Sequence, residues 1–395
     1  MIHKIDDDLK KSYYLINMAD FFDYLDWRGD IPFSQVPLNK IDVLLLAHLT
    51  YNIFDGVVPE AFDKPKSFTQ VVKDFKAAPN YEARVNIGFL INKRTVELML
   101  KCADCLRYKD IELCGFWNYY DEEKTEQFAA ITYILDGQPL IVFRGTDDTI
   151  AGWREDFNIA WLDEIPAQKD ALKYFKAAAK AFDGKMIFAG HSKGGNLAIN
   201  TAVKCGAELQ KRIEAVFNFD GPGFAKEFFD LPEYKAVEKK IKSFYPGFSV
   251  VGMIFHHPKK FEIVRSEGFT LWQHDAMNWQ IMGGSFINEK KFTDESRLFY
   301  KAFNEWIDRL NKRQKKNFVE TLFCILEASG AKTNNDIEKD PLKASAKMLA
   351  AYAEMDKNRK KELRTILSMF TSVVTDDIPL FKPLALIKNS RPAQK

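Results

Sequence analysis

Ser192 stands in Gly190-His-Ser-Lys-Gly194 with a further glycine at 195, a spacing suited to a serine nucleophile. A buried strand that turns sharply into a helix needs small residues on both sides of the turn. The turning side chain leaves the sheet edge at strained backbone angles, and bulk beside it would clash. Met186 to Ala189 supply an apolar strand, and a helical pattern follows from Asn196. In that setting Ser192 Oγ stands above the sheet. The N–H of Lys193 and the start of the helix then face whatever Ser192 attacks. The chemistry is acyl transfer through a covalent intermediate; a glycine-rich structural turn is the plainer alternative.

A serine hydroxyl is a weak nucleophile at neutral pH and needs a base beside it. In this architecture the base follows the nucleophile in the chain. Three of the six histidines do so: His256, His257 and His274. His274, in the polar-aromatic stretch Gln273-His-Asp-Ala-Met-Asn-Trp279, is the expected base. His256 and His257, between an apolar piece and Pro258, are the alternatives. His191 is expected to be structural, and His48, on an apolar helix face, a core histidine. Asp220 leads as orienting acid, at the end of a strand and before Gly-Pro-Gly223, although turn formation explains it too. Asp275 adjoins His274, but neighbouring side chains in extended chain point apart. Ser249 is a candidate contact for His274 in place of an acid. The oxyanion hole requires two donors. Lys193 N–H is one, and Thr146, through its N–H and its hydroxyl, is the other.

These residues need a sheet to hold them. Gln127–Leu135, the turn at Asp136-Gly137 and Pro139–Phe143 read as a hairpin or adjacent strands. Ile213–Phe219, Lys240–Tyr245 and Phe261–Arg265 are further strands, with Val250–Phe255 an apolar piece between the last two. Pro166 opens a helix that Gly184 closes. Strands alternating with helices predict a mostly parallel sheet with ligands at the strands' carboxyl ends. Before it, Met18, Phe21, Phe22 and Leu25 recur at helical spacing; Asn39 with Asp42 caps a second helix, and a third lies near Lys93–Lys109. The expected organisation is an N-terminal helical region (1–112), a core (113–285), a C-terminal helical region (286–375) and a tail (376–395).

Lys+Arg 57 against Asp+Glu 55 creates no global field for nucleic acid or an anionic membrane. Five scattered cysteines suit a reducing compartment, and the pair Cys102-Ala-Asp-Cys105 lies in a helical pattern with no second pair to complete a metal site. No apolar run approaches the roughly 20 residues of a spanning helix, and the acidic start without an apolar stretch leads us to expect no signal peptide. The reading is a soluble cytoplasmic protein without a cofactor. Its basic clusters Lys312–Lys316 and Lys357–Lys361 read as solvated helix faces, with a peripheral membrane contact as the alternative.

Phe143-Arg-Gly-Thr146, with Trp153 and Asp156, and then Gly190-His-Ser-x-Gly-Gly195, resemble the class 3 (fungal-type) lipases of the α/β-hydrolase superfamily. That resemblance implies an α/β-hydrolase fold, an oxyanion donor at Thr146 and a nucleophile at Ser192. From about Met18 to Trp279 the chain is more closely similar to an uncharacterised bacterial lipase-like family. The shared stretches include Trp27-Arg-Gly-Asp30, FRGTDD from Phe143, Glu155-Asp156, Pro166-Ala-Gln168, GHSKGGNLA from Gly190, DGPGF from Asp220 and QHD from Gln273. Two departures stand out: Lys193 replaces the usual apolar residue after the serine, and Ser249 lies near the place of the acidic triad member. The expected function is hydrolysis of a carboxylic ester, of a lipid or another acyl compound. The rival is a non-catalytic α/β-hydrolase-fold binding module.

Overall fold

The computed structural model describes residues 19–85, 94–147, 149–268 and 270–373. Met18, Lys93, Asp148 and the tail from 376 lie outside the described residues. Among those described, nine strands form one sheet in the order β1 (Lys66–Ser67), β2 (Glu112–Asp121), β3 (Glu126–Leu135), β4 (Gln138–Phe143), β5 (Met186–His191), β6 (Ile213–Phe219), β7 (Ile241–Pro246) and β8 (Glu262–Val264). A short pair, β9 (Ile281–Met282) and β10 (Ser285–Phe286), stands apart, and β11 (Asn288–Glu289) closes the edge beside β8. From β4 to β8 every neighbour is parallel; β1 to β4 and the β8–β11 edge are antiparallel. A largely parallel sheet with helices on both faces, and a strand–serine–helix turn at its centre, is the α/β-hydrolase fold.

Side chains alternate between the two faces of each strand. Leu140 and Val142, Ile187 and Ala189, and Phe217 and Phe219 point to one face. Ile141 and Phe143 with Met186 and Phe188 point to the other. The second face is covered by the helices Pro166–Ala181 and Lys193–Lys204, through Ala171, Phe175, Leu197 and Ala202. The first is covered by the N-terminal helices Phe21–Arg28, Lys40–Leu49, Phe68–Ala77 and Thr95–Asp104. Lys40–Leu49 is apolar almost all round because it is buried all round, from Ile41 to Leu49. Its N-terminus is closed by a reciprocal capping box. Asn39 Oδ1 accepts from the Ile41 and Asp42 amides, and Asp42 Oδ2 accepts from the Asn39 amide.

Asp42 is also the hub that pins the N-terminal layer together. Its Oδ1 accepts from Tyr24 Oη (2.8 Å), Tyr108 Oη (2.6 Å) and Arg107 Nε (2.8 Å), and its Oδ2 from Arg107 Nη2 (2.5 Å). Neither side chain of the Asp42–Arg107 pair is exposed. The remaining Arg107 donors close on the Ile31, Val36 and Pro37 carbonyls, fixing the turn after Trp27-Arg-Gly-Asp30.

The apolar piece Val250–Phe255 holds a 3₁₀ turn, Val251–Met253. β2 forms where the helical region was expected to end, and Ile150–Asn158 is a full helix after the Arg144–Thr149 loop. Further on, the helix Asp294–Arg309 buries Trp306, Ile307 and Leu310 with Ile366. The helix Lys312–Glu327 sets Val319 and Phe323 against Ile150, Trp153 and Phe157. Among the described residues, no helix is long and apolar enough to cross a membrane.

Candidate active site

Ser192 has φ +57° and ψ −135°, a conformation that L-residues adopt only under constraint. Its flanking glycines are required by contact rather than by their own torsions. A Cβ on Gly190 would enter the Gly194 backbone, one on Gly194 would strike the Phe143 carbonyl, and one on Gly195 would strike Asn218 Oδ1. The turn is thus wedged between β4, β5 and β6. It is followed by a twelve-residue helix whose first amides point back at it.

The DGPGF stretch lies beside the elbow. Asp220 is fully buried, sits at φ +51°, and is anchored by its amide to the Phe244 carbonyl at 2.8 Å. Asn196, from the elbow helix, donates to the Pro222 and Gly223 carbonyls (3.1 and 3.0 Å) and accepts from Gln168 Nε2 (2.8 Å). The motifs PAQ, GGN and DGPG therefore form one clamp. It presents the Asp220 carboxylate to His274, whose Nδ1 lies 2.6 Å from Asp220 Oδ2. The other oxygen accepts from Ser249 Oγ at 2.5 Å. Ser249 Oγ thus bonds the Asp220 carboxylate, and it accepts in turn from the Gly252 amide (3.0 Å). An ionised carboxylate only accepts, so Nδ1 carries the imidazole proton and Nε2 is left free to receive one.

His256, His257 and His48 are placed elsewhere. His257 sits among Tyr245, Phe261, Phe292 and Tyr300, and burial pushes its basicity down. His256 meets Tyr300 (3.4 Å) and lies 3.8 Å from Asp308. His48 is buried against Thr95 Oγ1 at 2.8 Å. Asp275 turns away from the base to cap the 3₁₀ turn Ala276–Asn278 through the Met277 amide. His274 bonds Asp220 through its side chain and His191 through its carbonyl; neither bond reaches Ser192 Oγ.

Thr146 lies after β4, in the loop facing the elbow. A Cβ on the neighbouring Gly145 would lie 2.6 Å from the His191 carbonyl and 2.9 Å from Ser192 Cβ. The Thr146 hydroxyl donates to Asp156 Oδ2 at 2.5 Å, which leaves its backbone N–H as the donor able to face an oxyanion. Burial raises the Asp156 carboxyl to about 6, against the pull of Lys193 and Thr146. The Lys193 side chain turns inward, away from solvent. It is fully buried, and Nζ donates to the Gln127 carbonyl (2.7 Å), Gln127 Oε1 (2.8 Å) and Glu155 Oε2 (2.8 Å). Glu155 is just as buried and also accepts from the Gln127 and Ala167 amides. The lysine thus continues the helix's inner face into a buried ion pair.

The model of one protein family, Mbeg1-like, matches residues 102–324, more than half of the chain, and takes in the elbow, the Asp220–His274 pair and the Thr146 loop. The chain belongs to the Mbeg1-like family. No curated protein matches it. Among solved structures it is similar to M37 lipase (14% identity, TM-score 0.34, 53% of this chain and 68% of that one). It is also similar to Rhizomucor miehei lipase in its native propeptide complex (16%, 0.27, 39% and 57%). A fungal lipase–inhibitor complex is a third (15%, 0.30, 52% and 82%). The fold assignment stands on the strand order given above.

Two groups in this Mbeg1-like chain escape sequence reasoning. Tyr51, upstream of the matched segment, reaches the elbow by placing its hydroxyl 3.1 Å from His191 Nδ1. No motif marks it; only its place two residues beyond a buried helix does. The Gln127–Glu155–Lys193 network is the other. The signal available was an apolar helix face interrupted by a lysine, matched by a carboxylate pair at Glu155-Asp156.

Proposed function

We propose that this protein is a serine hydrolase that cleaves a carboxylic ester. Ser192 Oγ attacks the carbonyl carbon while His274 Nε2 takes the hydroxyl proton. Asp220 holds the imidazole in the Nδ1–H tautomer and stabilises the imidazolium that forms. The negative charge gathering on the carbonyl oxygen meets the N–H groups of Thr146 and Lys193. His274 returns the proton to the departing alcohol, leaving an acyl-Ser192 ester. Water, deprotonated by the same imidazole, then releases the acid.

One observation carries this reading: a buried carboxylate holds His274 at 2.6 Å while a second donor, Ser249, occupies its other oxygen. A surface loop has no structural need for such an arrangement. Membership in the Mbeg1-like family supports the reaction class. Treatment with a fluorophosphonate tests it. Wild type should be modified at Ser192, Ser192→Ala should not, and an unmodified wild type would refute the proposal. The open Ser192–His274 contact favours the second reading, a non-catalytic binding module. Substrate binding commonly tightens such contacts, and the same labelling separates the two.

A further inference from the structure

The base is held from two sides, and only one of them is the acid. His191, the residue before the nucleophile, places Nε2 2.8 Å from the backbone carbonyl of His274. Its ring lies 4.6 Å from the His274 ring, tilted by 31°. A carbonyl only accepts, so Nε2 of His191 carries the proton and Nδ1 is the acceptor. That acceptor faces Tyr51 Oη at 3.1 Å. Tyr51 and His191 are both buried. Burial, and then the neighbouring His274, hold the His191 imidazole well below its ordinary basicity.

We propose that Tyr51 and His191 are positioning residues for the base, a neutral relay that fixes the loop carrying His274 against the elbow. The tautomer is dictated link by link. The Tyr51 hydroxyl donates to Nδ1, and Nε2–H donates to the His274 carbonyl. The relay also ties in the oxyanion loop, because a side chain on Gly145 would run into the Tyr51 hydroxyl as well as the His191 carbonyl. Nucleophile, base and oxyanion loop are thus registered to one another through a tyrosine supplied by the N-terminal helical layer. A neutral His191 matters for a second reason. The imidazolium formed on His274 during turnover would be opposed by any charge on a ring 4.6 Å away.

This rests on the serine-hydrolase reading, so the test measures both. Ester hydrolysis is followed with a short-chain p-nitrophenyl ester, with fluorophosphonate labelling of wild type as the reference. Tyr51→Phe keeps the ring and removes the hydroxyl. Its kcat should fall about tenfold to a hundredfold with KM within about twofold, since displacement of a catalytic group by about 1 Å can cost that much. His191→Phe should fall at least as far, whereas His191→Gln, which keeps an amide donor for the His274 carbonyl, should recover most of the rate. Rates are taken per folded protein, with circular dichroism confirming each variant. A wild type that neither labels nor turns over would sink the parent reading and this inference together. An active wild type with unchanged kcat in Tyr51→Phe, or with His191→Gln no better than His191→Phe, would sink this inference alone.

Discussion

Lys193→Met removes a fully buried cation and leaves Glu155 equally buried without it. Glu155 Oε2 then keeps only the Gln127 amide, Oε1 keeps the Ala167 amide, and Gln127 Oε1 loses its donor. Breaking a buried pair from one side costs about 3–5 kcal/mol, because the surviving charge stays in the interior. Neutralising both partners is another matter. In Lys193→Met with Glu155→Gln, the new amide oxygen can still accept from a backbone amide and no charge is left at 155, while Asp156, 3.9 Å from Nζ in wild type, keeps the Thr146 hydroxyl. That loss should be about 1–2 kcal/mol, the scale of unmade hydrogen bonds. Urea unfolding followed by tryptophan fluorescence reads both. With a slope of about 3 kcal/mol per molar, the single variant's midpoint should drop by about 1–1.5 M and the double variant's by less than half of that. A single variant within about 1 kcal/mol of wild type, or a double variant less stable than the single, would refute a stabilising buried pair.

Asp220→Asn should lower kcat by about ten-thousandfold, the scale for a triad acid whose loss releases the wrong imidazole tautomer; an unchanged rate removes it from the proposed set. Because Ser249 already touches that carboxylate, adding Ser249→Asp to Asp220→Asn should restore part of the rate, measurable on the same ester. Gly145→Ala forces a methyl against the His191 carbonyl and Ser192 Cβ, and hydrolysis should fall at least a hundredfold while the fold, followed by circular dichroism, persists. The Asp156 carboxyl, raised by burial to about 6 from an ordinary 3.8, binds its proton more tightly folded than unfolded. Its contribution to stability is present below about pH 4 and is lost as pH rises to about 6. Asp156→Asn should flatten that part of a plot of urea midpoint against pH.

The chemistry-bearing turns were legible in the sequence because their geometry is local. Gly190, Gly194 and Gly195 announce a turn whatever surrounds them, and Asp220 before Gly-Pro-Gly announces a shaped loop. Strands β3 to β6 showed as apolar runs because a sheet covered on both faces needs side chains of one kind throughout. Relations between distant segments were not legible. That Ser249 would serve Asp220, that Lys193 would turn inward to Glu155, or that Tyr51 would reach His191 across 140 residues depends on how layers stack. β2 hid for a different reason: its outer half, Trp117 to Asp121, is partly exposed and polar, so it lacks the run that betrays a central strand.

The stacking of the N-terminal helices bears on where this protein may be cut. Homology alone would draw a fragment from 102 to 324. That fragment would keep Ser192, Asp220 and His274, the proposed catalytic set, yet strip away Lys40–Leu49 and with it the cover over Leu140, Val142, Ile187, Ala189, Phe217 and Phe219. One whole face of a mostly parallel sheet would meet water, an apolar expanse beyond the few hundred Å² that soluble monomers tolerate. Such a fragment would carry the recognisable motifs and still aggregate, so the recombinant unit of choice begins ahead of Phe21–Arg28, the first helix among the described residues.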